Sequence, residues 1–460
     1  MTHPQDAPSR ATRRSFLGSA AAFSASVCAD GQQPALANET FAAPTEDEDK
    51  FAVAELRTLR EEIRAELFER VLPFWEQHGI DHQRGGFMCA LNYDGSLNHT
   101  DKYHWYQGRG IWVYSYLFNH FGRDDRHLEI ARKTKDFLLQ HAIGVDGWWA
   151  EVLARDGTVL KPFRGDVYGM FCAAEGLQEF AWAAQDDQSR ERARQLLKKL
   201  FQLVNEPDYK DVYAPQKGYR VQGVWMYLLQ ACTQYLRRWE DPDLERFAEI
   251  SVDAIMNKHF NPEIGLVNEY VAFDYSRPPE IANLCLVGHC VQAFWMVLDE
   301  ALRREDMDLV ETCCDRTRRH LDIGWDHVFG GLAEWVNVDQ RTHEWGPQQF
   351  GDVTVDLQMI GEYNYLKSFW SLNEVMLTTL YIYQLRRSAW AARYFRLARG
   401  VVDRKFSRHA QGQATYALAA DRKMERIPTG TKQDNYHPPR RMMRNLLSIE
   451  QILSEEGTAG

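Results

Sequence analysis

An internal repeat restricts the fold of this chain more than any other feature of its sequence. Four short segments begin with glycine, alternate apolar and polar residues for about six positions, and then turn at an aspartate. They start at Gly85, Gly147, Gly265 and Gly330. This spacing indicates a unit of about 60 residues, with one hairpin missing or degenerate. Two of the four segments turn at Asp-Gly, the strongest short-range signal for a β-hairpin.

The stretches between these segments have helical periodicity, as residues 52–76 and 125–142 show. A repeated unit of two helices and one short hairpin predicts an all-α fold in which about six or seven helical hairpins close around a central cavity. We expect this barrel, with short β-hairpins in its loops, to span residues 51–455. An open α-solenoid is the alternative. Such an array needs polar terminal caps, and none is evident in the sequence, which favours closure.

Composition and charge limit the function. The 460-residue chain is 45% hydrophobic, enough for the core of one large domain or two ordinary ones. Its formal charge of −11, with no basic block to offset it, argues against nucleic acids and anionic membrane surfaces as partners. Aromatic residues make up 12% of the chain, and such rings pack cores or stack on sugars. No stretch approaches the ~18 unbroken apolar residues of a membrane span.

The N-terminal segment is typical of an export signal. Arg13 and Arg14 precede a mildly apolar run, and small residues at 35–37 form a cleavage site, so residues 1–37 resemble a twin-arginine signal peptide. A disordered basic tail is the alternative. Residues 38–50 form an acidic linker. We therefore expect an exported protein of the periplasm or the extracellular space. Cleavage would leave seven of the eight cysteines, mostly as buried free thiols, although export permits an occasional disulfide.

One arginine lies in an aromatic segment, "KYHWYQGRGIWVYSYLF" (102–118). Arg109 is surrounded in sequence by Trp105, Tyr106, Trp112 and Tyr114. Such an arginine is either the partner in a structural ion pair or a group that holds a ligand. The segment alone does not decide between the two.

A second segment, "YNYLKSFWSLNEVMLTTLYIYQ" (363–384), reads as a helix with one polar stripe on an otherwise apolar surface. The stripe consists of Lys367, Trp370, Ser371, Glu374 and Thr378. Such a stripe should line an internal cavity. A buried structural network between Lys367 and Glu374 is the alternative.

Two histidines stand at predicted helix starts. His289 follows Gly288, and His437 precedes two prolines that suit a first helical turn. A helix N-terminus lowers the pKa of a nearby imidazole and favours the neutral form that a general base needs. Many histidines in this position are only caps or structural donors, so the pattern leaves both roles open. The sequence contains no HExxH motif, Cys/His cluster, P-loop or dinucleotide fingerprint, and we expect no metal site and no cofactor.

Five segments, taken in order, resemble the N-acylglucosamine 2-epimerase family, which includes cellobiose 2-epimerases and aldose–ketose isomerases. They are "DKYHWYQGRGIWVYSYL", "LVGHCVQAFWMVL", "GWDHVFGGLAEW", "KSFWSLNEVM" and "YHPPRRMM". The resemblance runs from about residue 52 to residue 453. It implies an (α/α)6 barrel with the active site in a central funnel, in agreement with the repeat.

The resemblance also implies roles for single residues. His289 and His437 would be the acid/base groups at C2 of a sugar, and Arg109 would contact substrate oxygens, which favours a ligand clamp. Glu374 would orient a histidine and Trp370 would stack on the sugar. Further substrate-binding residues are expected at Trp105, Gln107, Lys367, Gln292 and Arg440. Gln292 replaces the glutamate usual in the family, and an amide cannot raise the basicity of His289 as a carboxylate would.

The favoured function is a cofactor-independent sugar 2-epimerase acting on an open-chain mono- or oligosaccharide. The first alternative is an aldose–ketose isomerase that uses the same histidines. The second is a glycan-binding or glycoside-cleaving barrel, which for cleavage needs two carboxylic acids ~5–10 Å apart. The acids considered for it are Glu374 with Glu269, Glu280 or Asp356. Loops 205–220, 268–286 and 343–362 are expected to set specificity. The oligomeric state stays open, with a homodimer as one candidate.

The export signal gives a first test. Replacing Arg13 and Arg14 by lysine should leave the protein in the cytoplasm, because the twin-arginine route requires both arginines. Fractionation of expressing cells measures the distribution. Arg10→Lys is the matched control and should leave export unchanged. Undiminished export of the double variant would contradict the assignment.

Overall fold

Long helices alternate between an inner and an outer layer along the chain. The structure is a computed structural model that describes residues 50–279, 281–337, 366–425, 427 and 429–458, together with the backbone of 348–350 and 353–355. Residues 1–49, which hold the predicted signal and nearly all of the linker, lie outside the described residues. Within the described part the inner helices are α3 (His104–His120), α5 (Tyr168–Ala184), α7 (Gln222–Leu236), α9 (Val287–Arg303), α11 (Phe369–Arg386) and α13 (His437–Thr458).

The outer helices each bury one face and expose the other. Helix α6, for example, buries residues three or four positions apart from Ala193 to Val204. Aspartates cap several of these helices by accepting hydrogen bonds from first-turn N–H groups, as Asp186 and Asp241 do. The outer helices are α1 (Val53–Ala65), α4 (Asp125–His141), α6 (Asp187–Val204), α8 (Pro242–Asp253), α10 (Met307–Gly324) and α12 (Ala389–Val401), and the short α2 is Leu72–Phe74. Helical segments with π-type bonds extend this layer at Glu66–Val71, Trp75–Gly79, Ala254–Lys258 and Val402–Phe406.

The inner helices form a closed ring. Each contacts the next in the order α3, α5, α7, α9, α11 and α13, and α13 contacts α3 again. The described residues therefore form an (α/α)6 barrel, which confirms the predicted fold with six helical hairpins. The open solenoid is excluded, because its first and last inner helices would not meet.

The strands are short and lie in the loops. They are β1 (Lys102–Tyr103), β2 (Val152–Leu153), β3 (Val159–Lys161), β4 (Tyr219–Val221), β5 (Phe260–Asn261), β6 (Leu266–Val267), β7 (Tyr270–Ala272), β8 (Leu284–Leu286), β9 (Trp335–Asn337), β10 (Gln348–Phe350), β11 (Val353–Val355), β12 (Lys367–Ser368) and β13 (Ala419–Ala420). All pairs are antiparallel: β1–β2–β3, β4–β7, β5–β6, β8–β9, β10–β11 and β12–β13. Four of them end where an inner helix begins, namely β1, β4, β8 and β12.

The four repeat glycines lie in turns rather than at strand starts. Gly85 sits inside the tight loop closed by the bridge between Ile80 and Phe87, and Gly330 inside that between Trp325 and Leu332. Both adopt positive φ angles, +79° in each case, which a glycine adopts without strain. Of the hairpins predicted to turn at an aspartate, the one at Asp156-Gly157 forms between β2 and β3. The strands after Gly265 and Gly330 pair elsewhere, β7 with β4 and β9 with β8, and the turn predicted at residue 339 lies outside the described residues.

Two buried lysines at equivalent places in the repeat each hold one of these loops. Lys102 Nζ lies 3.1 Å from Asp81 Oδ2 and donates to the carbonyl oxygen of Gly85 at 2.6 Å. Lys367 repeats the arrangement, with Nζ 3.0 Å from Asp326 Oδ2 and a hydrogen bond to the Gly330 carbonyl. Lys367 lies in β12, ahead of the helix predicted to contain it. The structure therefore places Lys367, predicted as a substrate contact, in the loop rather than in the funnel lining.

Gln107 is likewise a structural residue. Its side-chain oxygen accepts from the Phe87 N–H at 2.7 Å, and its amide nitrogen donates to the Phe87 carbonyl at 2.9 Å. The side chain is fully buried and ties the first hairpin to α3. The structure thus places Gln107, predicted as a substrate contact, outside the funnel lining.

All seven described cysteines are buried and none is paired in a disulfide, in line with the expected free thiols. No helix among the described residues is long and apolar enough to cross a membrane.

The glycines beside Arg109 allow α3 and α5 to cross closely. A Cβ atom on Gly108 would lie 2.4 Å from the backbone nitrogen of Ala173, and one on Gly176 would lie 2.5 Å from the Gly108 carbonyl oxygen. Because backbone atoms occupy this space, a methyl group can be accommodated only if the helices separate.

Gly108→Ala should therefore destabilise the protein by ~1–3 kcal/mol, the usual cost of overpacking. Chemical denaturation measures the change. Gly457→Ala is the matched control: it is also helical, and a Cβ there meets nothing within 4 Å. Equal stability of the two variants would contradict this account of the helix crossing.

Candidate active site

A funnel opens at the N-terminal ends of the inner helices. Its cavity measures about 440 Å³. Because β-strands fix where the inner helices begin, side chains from the first turns of several helices converge there. Six of the predicted site residues line it, namely Trp105, Arg109, His289, Gln292, Trp370 and His437. Other lining residues include Tyr168, Tyr227, Glu269, Glu334, Lys432 and Asp434.

His289 lies in the first turn of α9 and is held by a carboxylate. Its Nδ1 is 2.9 Å from Glu269 Oε1, and Glu269 is buried in the connection between β6 and β7. Burial lowers the pKa of His289, but Glu269 above all, with Glu334 and Glu374, more than offsets this and raises it above its ordinary value of 6.5. Glu269 thus supplies beside His289 the negative charge that Gln292 lacks, and it raises the basicity of His289.

His437 begins α13 and is held in a similar way. Its Nδ1 is 2.6 Å from Asp434 Oδ2, while Asp434 Oδ1 accepts from the backbone N–H groups of Tyr436 and His437. Burial lowers the pKa of His437 below 6.5 even though Asp434 opposes the shift, and the positive charge of Arg109 adds to the lowering.

The two histidines therefore differ in protonation. The sequence predicts that the helix N-terminus lowers the pKa of both histidines. The pKa is lowered for His437 alone. For His289 the expectation is wrong, because three carboxylates outweigh burial and the helix N-terminus. Relative to an ordinary histidine, the funnel favours the protonated form of His289 and the neutral form of His437.

Trp370 lies between the two imidazoles, in the first turn of α11. Its ring centroid is 5.4 Å from that of His289 and 5.8 Å from that of His437. Gly288 makes room for this ring, since a Cβ there would lie 2.5 Å from Trp370 Cη2. A flat apolar surface flanked by two titratable groups suits a sugar ring or chain.

Arg109 faces the funnel without a carboxylate partner in the described residues. Its Nη2 donates to the Tyr227 hydroxyl at 2.8 Å, and its guanidinium lies 4.9 Å from the Trp105 ring centroid and 5.0 Å from that of Tyr436. Its Nε has no hydrogen-bond partner there. Trp105 is fixed in turn by a 2.6 Å hydrogen bond from Nε1 to Asp166. The arrangement leaves Arg109 donors for a ligand.

Glu374 and Arg440 lie behind the funnel. Arg440 Nη2 is 2.5 Å from Glu374 Oε1, and Trp295 Nε1 donates to Glu374 Oε2 at 2.8 Å. Both side chains are fully buried, and neither lines the cavity. The structure thus places Arg440, predicted as a substrate contact, away from the cavity, and Glu374 touches neither histidine. It acts on them only through its charge, which raises the pKa of both.

Ser371 and Thr378, two further residues of the predicted polar stripe, form hydrogen bonds inside the protein. Ser371 donates to the Ser368 carbonyl at 2.9 Å, and Thr378 donates to that of Val291 at 3.1 Å. Lys367 and Glu374 have separate partners, so the alternative of a network between them is also wrong. Of the stripe, Trp370 alone reaches the funnel.

Two of the funnel glutamates occupy equivalent places in the repeat. We call this the rim position. In each hairpin, two facing residues pair in a β-bridge, and the rim residue lies two positions after the second of them. Its backbone carbonyl accepts a hydrogen bond from the first N–H group of an inner helix. The Glu269 carbonyl accepts from Gln222 at 2.9 Å, and that of Glu334 from Val287 at 3.0 Å. The full set in the described residues is Glu151, Glu269, Glu334 and Leu418.

Sequence reasoning assigned Asp434 and Glu334 no role and considered Glu269 only as a cleaving acid. Asp434 had a usable signal, because an aspartate three residues before a helix-initial histidine can cap that helix. Glu269 and Glu334 could have been found by aligning the hairpins to one another.

One cluster in the described residues offers three metal-ligand atoms, from Cys285, Cys290 and His320. His320 Nε2 already accepts from the Val267 N–H at 2.9 Å, and its Nδ1 lies 2.7 Å from the Arg316 carbonyl. Both ring nitrogens are thus engaged, and we do not assign a metal there.

Comparison with known proteins identifies the family. The family model for N-acylglucosamine 2-epimerase (GlcNAc 2-epimerase) matches residues 85–439. The chain belongs to this family. The N-acylglucosamine 2-epimerase of Mus musculus is 29% identical over 302 residues, covering 62% of this chain and 70% of that protein. The cellobiose 2-epimerase of Dictyoglomus turgidum is 24% identical over 270 residues, covering 55% and 67%.

The epimerase family also accounts for the fold. The structure of cellobiose 2-epimerase from Bacillus thermoamylovorans B4167 superimposes with a TM-score of 0.70 at 17% sequence identity, covering 85% of this chain and 99% of that one. The named relatives are carbohydrate epimerases, which are enzymes of the isomerase class. The resemblance found in the sequence is thereby confirmed.

The carboxylate beside His289 gives a prediction for this family member. In Glu269→Gln the pKa of His289 should fall below 6.5, because burial is then opposed only by the more weakly acting Glu334 and Glu374. NMR titration of the histidine ring protons, assigned with a His289→Asn variant, measures it. Asp434→Asn is the control and should shift His437 instead. An unchanged pKa of His289 would contradict the assignment.

Proposed function

We propose that this chain is a sugar 2-epimerase that moves the proton at C2 of an open-chain aldose with two histidines and without a cofactor. One observation carries the proposal: two imidazoles, each oriented by a carboxylate and shifted in pKa in opposite directions, flank Trp370 in one funnel. Epimerisation needs one base and one acid on opposite faces of the same carbon, which is the arrangement that such a pair provides.

The proton transfers follow from these protonation states. The C2–H bond of an aldose is acidified by the neighbouring aldehyde. Neutral His437 removes this proton, and the electron pair moves through C1 to O1, giving an enolate. Protonated His289 then delivers its proton to C2 from the other side, and the aldehyde re-forms. The reverse reaction exchanges the two roles, so no hydride acceptor is required.

Arg109 is the group proposed to stabilise the enolate. Negative charge develops on O1 during proton removal, and Arg109 brings positive charge to the funnel without a carboxylate partner among the described residues. A pre-oriented donor of this kind stabilises such charge by ~3 kcal/mol or more. Trp370 would support the carbon chain between the two histidines.

Glycoside cleavage is less well supported. It needs two carboxylic acids placed across the bond. Glu269 is engaged by His289, and Glu374 is engaged by Arg440 away from the funnel. Glu280 and Asp356 lie outside the described residues, as does most of loop 343–362.

NMR of sugars incubated with the enzyme in D2O tests the function. N-acetylglucosamine, glucose, mannose and cellobiose form a suitable panel. The proposal expects at least one of them to give a new 2-epimer that carries deuterium at C2. A ketose with deuterium at C1 would instead show an aldose–ketose isomerase, and no exchange with any sugar would contradict both.

The pH dependence follows from the two pKa shifts. The working enzyme has neutral His437, whose pKa lies below 6.5, and protonated His289, whose pKa lies above 6.5. The rate should therefore be maximal between these values and fall about tenfold per pH unit on either side. Both reaction directions should show the same bell-shaped profile, because each needs a pair that shares one proton.

Steady-state rates of a confirmed substrate between pH 4 and 9 measure this profile. In Glu269→Gln the alkaline limb should move to lower pH while the acid limb stays in place. A wild-type rate that continues to rise up to pH 9 would contradict the assignment of His289 as the acid.

A further inference from the structure

Glu334 differs from the other carboxyl groups of the funnel. Glu269, Asp434 and Glu334 all line the cavity in the described residues, and Glu269 and Asp434 are each bound to a histidine. Neither oxygen of Glu334 has a hydrogen-bond partner among the described residues, although its side chain is only 1% exposed. A buried carboxyl group without partners costs folding free energy, so its presence points to a ligand.

The repeat makes the contrast sharper. Glu151 occupies the same rim position outside the funnel lining, and its oxygens accept from the Arg164 N–H at 2.7 Å and pair with Lys161 Nζ at 2.6 Å. Glu269, at the next such position, binds His289. The fold thus places three glutamates alike, and of these Glu334 alone has no hydrogen-bond partner within bonding geometry on either oxygen among the described residues.

Glu334 also carries a proton more readily than an ordinary glutamate. Burial raises its pKa to about 7, although Ser368, His289 and Trp370 each lower it. These neighbours show that it lies beside His289 and Trp370, where the sugar is proposed to bind. Near neutral pH one oxygen of Glu334 is therefore often a donor while the other is an acceptor.

The two-histidine reaction leaves one step without a catalyst. Aldoses exist mainly as cyclic hemiacetals, and C2 becomes acidic only in the open-chain aldehyde. Opening the ring requires that the O1 hydroxyl lose a proton, that O5 gain one, and that the C1–O5 bond break. His289 and His437 must keep their own protonation states for the step at C2.

We propose that Glu334 opens the sugar ring by exchanging protons with both oxygens of the hemiacetal. Its unprotonated oxygen takes the proton of the O1 hydroxyl while its other oxygen gives a proton to O5. The C1–O5 bond breaks, the electron pair goes to O5, and the C1–O1 double bond forms. The carboxyl group ends with one proton, as it began, so no further reactant is needed. This role rests on the proposed epimerase function.

Ring opening can be measured separately from epimerisation. An enzyme that opens and closes the ring interconverts the anomers of its sugar, so it accelerates mutarotation. The probes are freshly dissolved α-N-acetylglucosamine and α-cellobiose, followed by polarimetry or by their anomeric NMR signals. Wild-type enzyme should accelerate mutarotation of a sugar that it epimerises.

Glu334→Gln keeps the shape of the side chain but cannot transfer the proton. It should lose ~100-fold of the mutarotation rate, in the usual range for general acid–base catalysis. His437→Asn should lose epimerisation and keep mutarotation. Glu151→Gln, at the same rim position outside the funnel lining, should keep both activities. A thermal melt of Glu334→Gln near that of wild type separates this effect from unfolding.

The outcomes distinguish the two proposals. If no sugar shows exchange at C2 with the wild-type enzyme, the epimerase function fails. If the wild-type enzyme epimerises a sugar but does not accelerate its mutarotation, the role of Glu334 is overturned. Unchanged mutarotation in Glu334→Gln, or equal loss in His437→Asn, would overturn it as well.

Discussion

The backbone hydrogen bonds at the rim positions hold the funnel together. The carbonyl groups of Glu151, Glu269, Glu334 and Leu418 accept from the first N–H of α3, α7, α9 and α11, respectively. A helix start has N–H groups without internal partners, and each hairpin satisfies one of them. The same bond fixes the rim side chain at the mouth of the barrel. At three of the four positions the residue is a glutamate, so the hairpin that caps an inner helix also carries a carboxyl group there, and two of these glutamates, Glu269 and Glu334, line the funnel.

The surrounding charges give two similar histidines pKa values that are shifted in opposite directions. Both histidines are buried at helix starts, and each has one carboxylate on Nδ1. The difference lies in the wider surroundings: Glu334 adds negative charge near His289, whereas Arg109 adds positive charge near His437. A pair poised in opposite protonation states is what a reaction with one acid and one base requires.

The sequence was informative where a physical pattern was local. The repeat predicted the barrel, and the resemblance of the segment around Arg109 to the epimerase family placed that residue in the funnel. Polar residues on apolar helices were harder to interpret, because a buried polar group can face a cavity or bind another internal group. Gln107, Lys367 and Arg440 all bind internal groups, which only their three-dimensional partners reveal.

The carboxylates beside the histidines illustrate the same limit. Glu269 lies 20 residues from His289 along the chain, and only the loop that carries it to the rim brings the two together. Asp434, three residues from His437, was within reach of a capping argument.

The central claim is that each histidine serves one face of C2, and hydrogen exchange in single variants tests it most directly. His289→Asn and His437→Asn are each incubated in D2O with both epimers of a confirmed substrate. Net epimerisation should be abolished in both variants. Each remaining histidine should still exchange the C2 proton of one epimer, and the two variants should prefer opposite epimers. Near wild-type turnover by either variant, or exchange of the same epimer by both, would contradict the account.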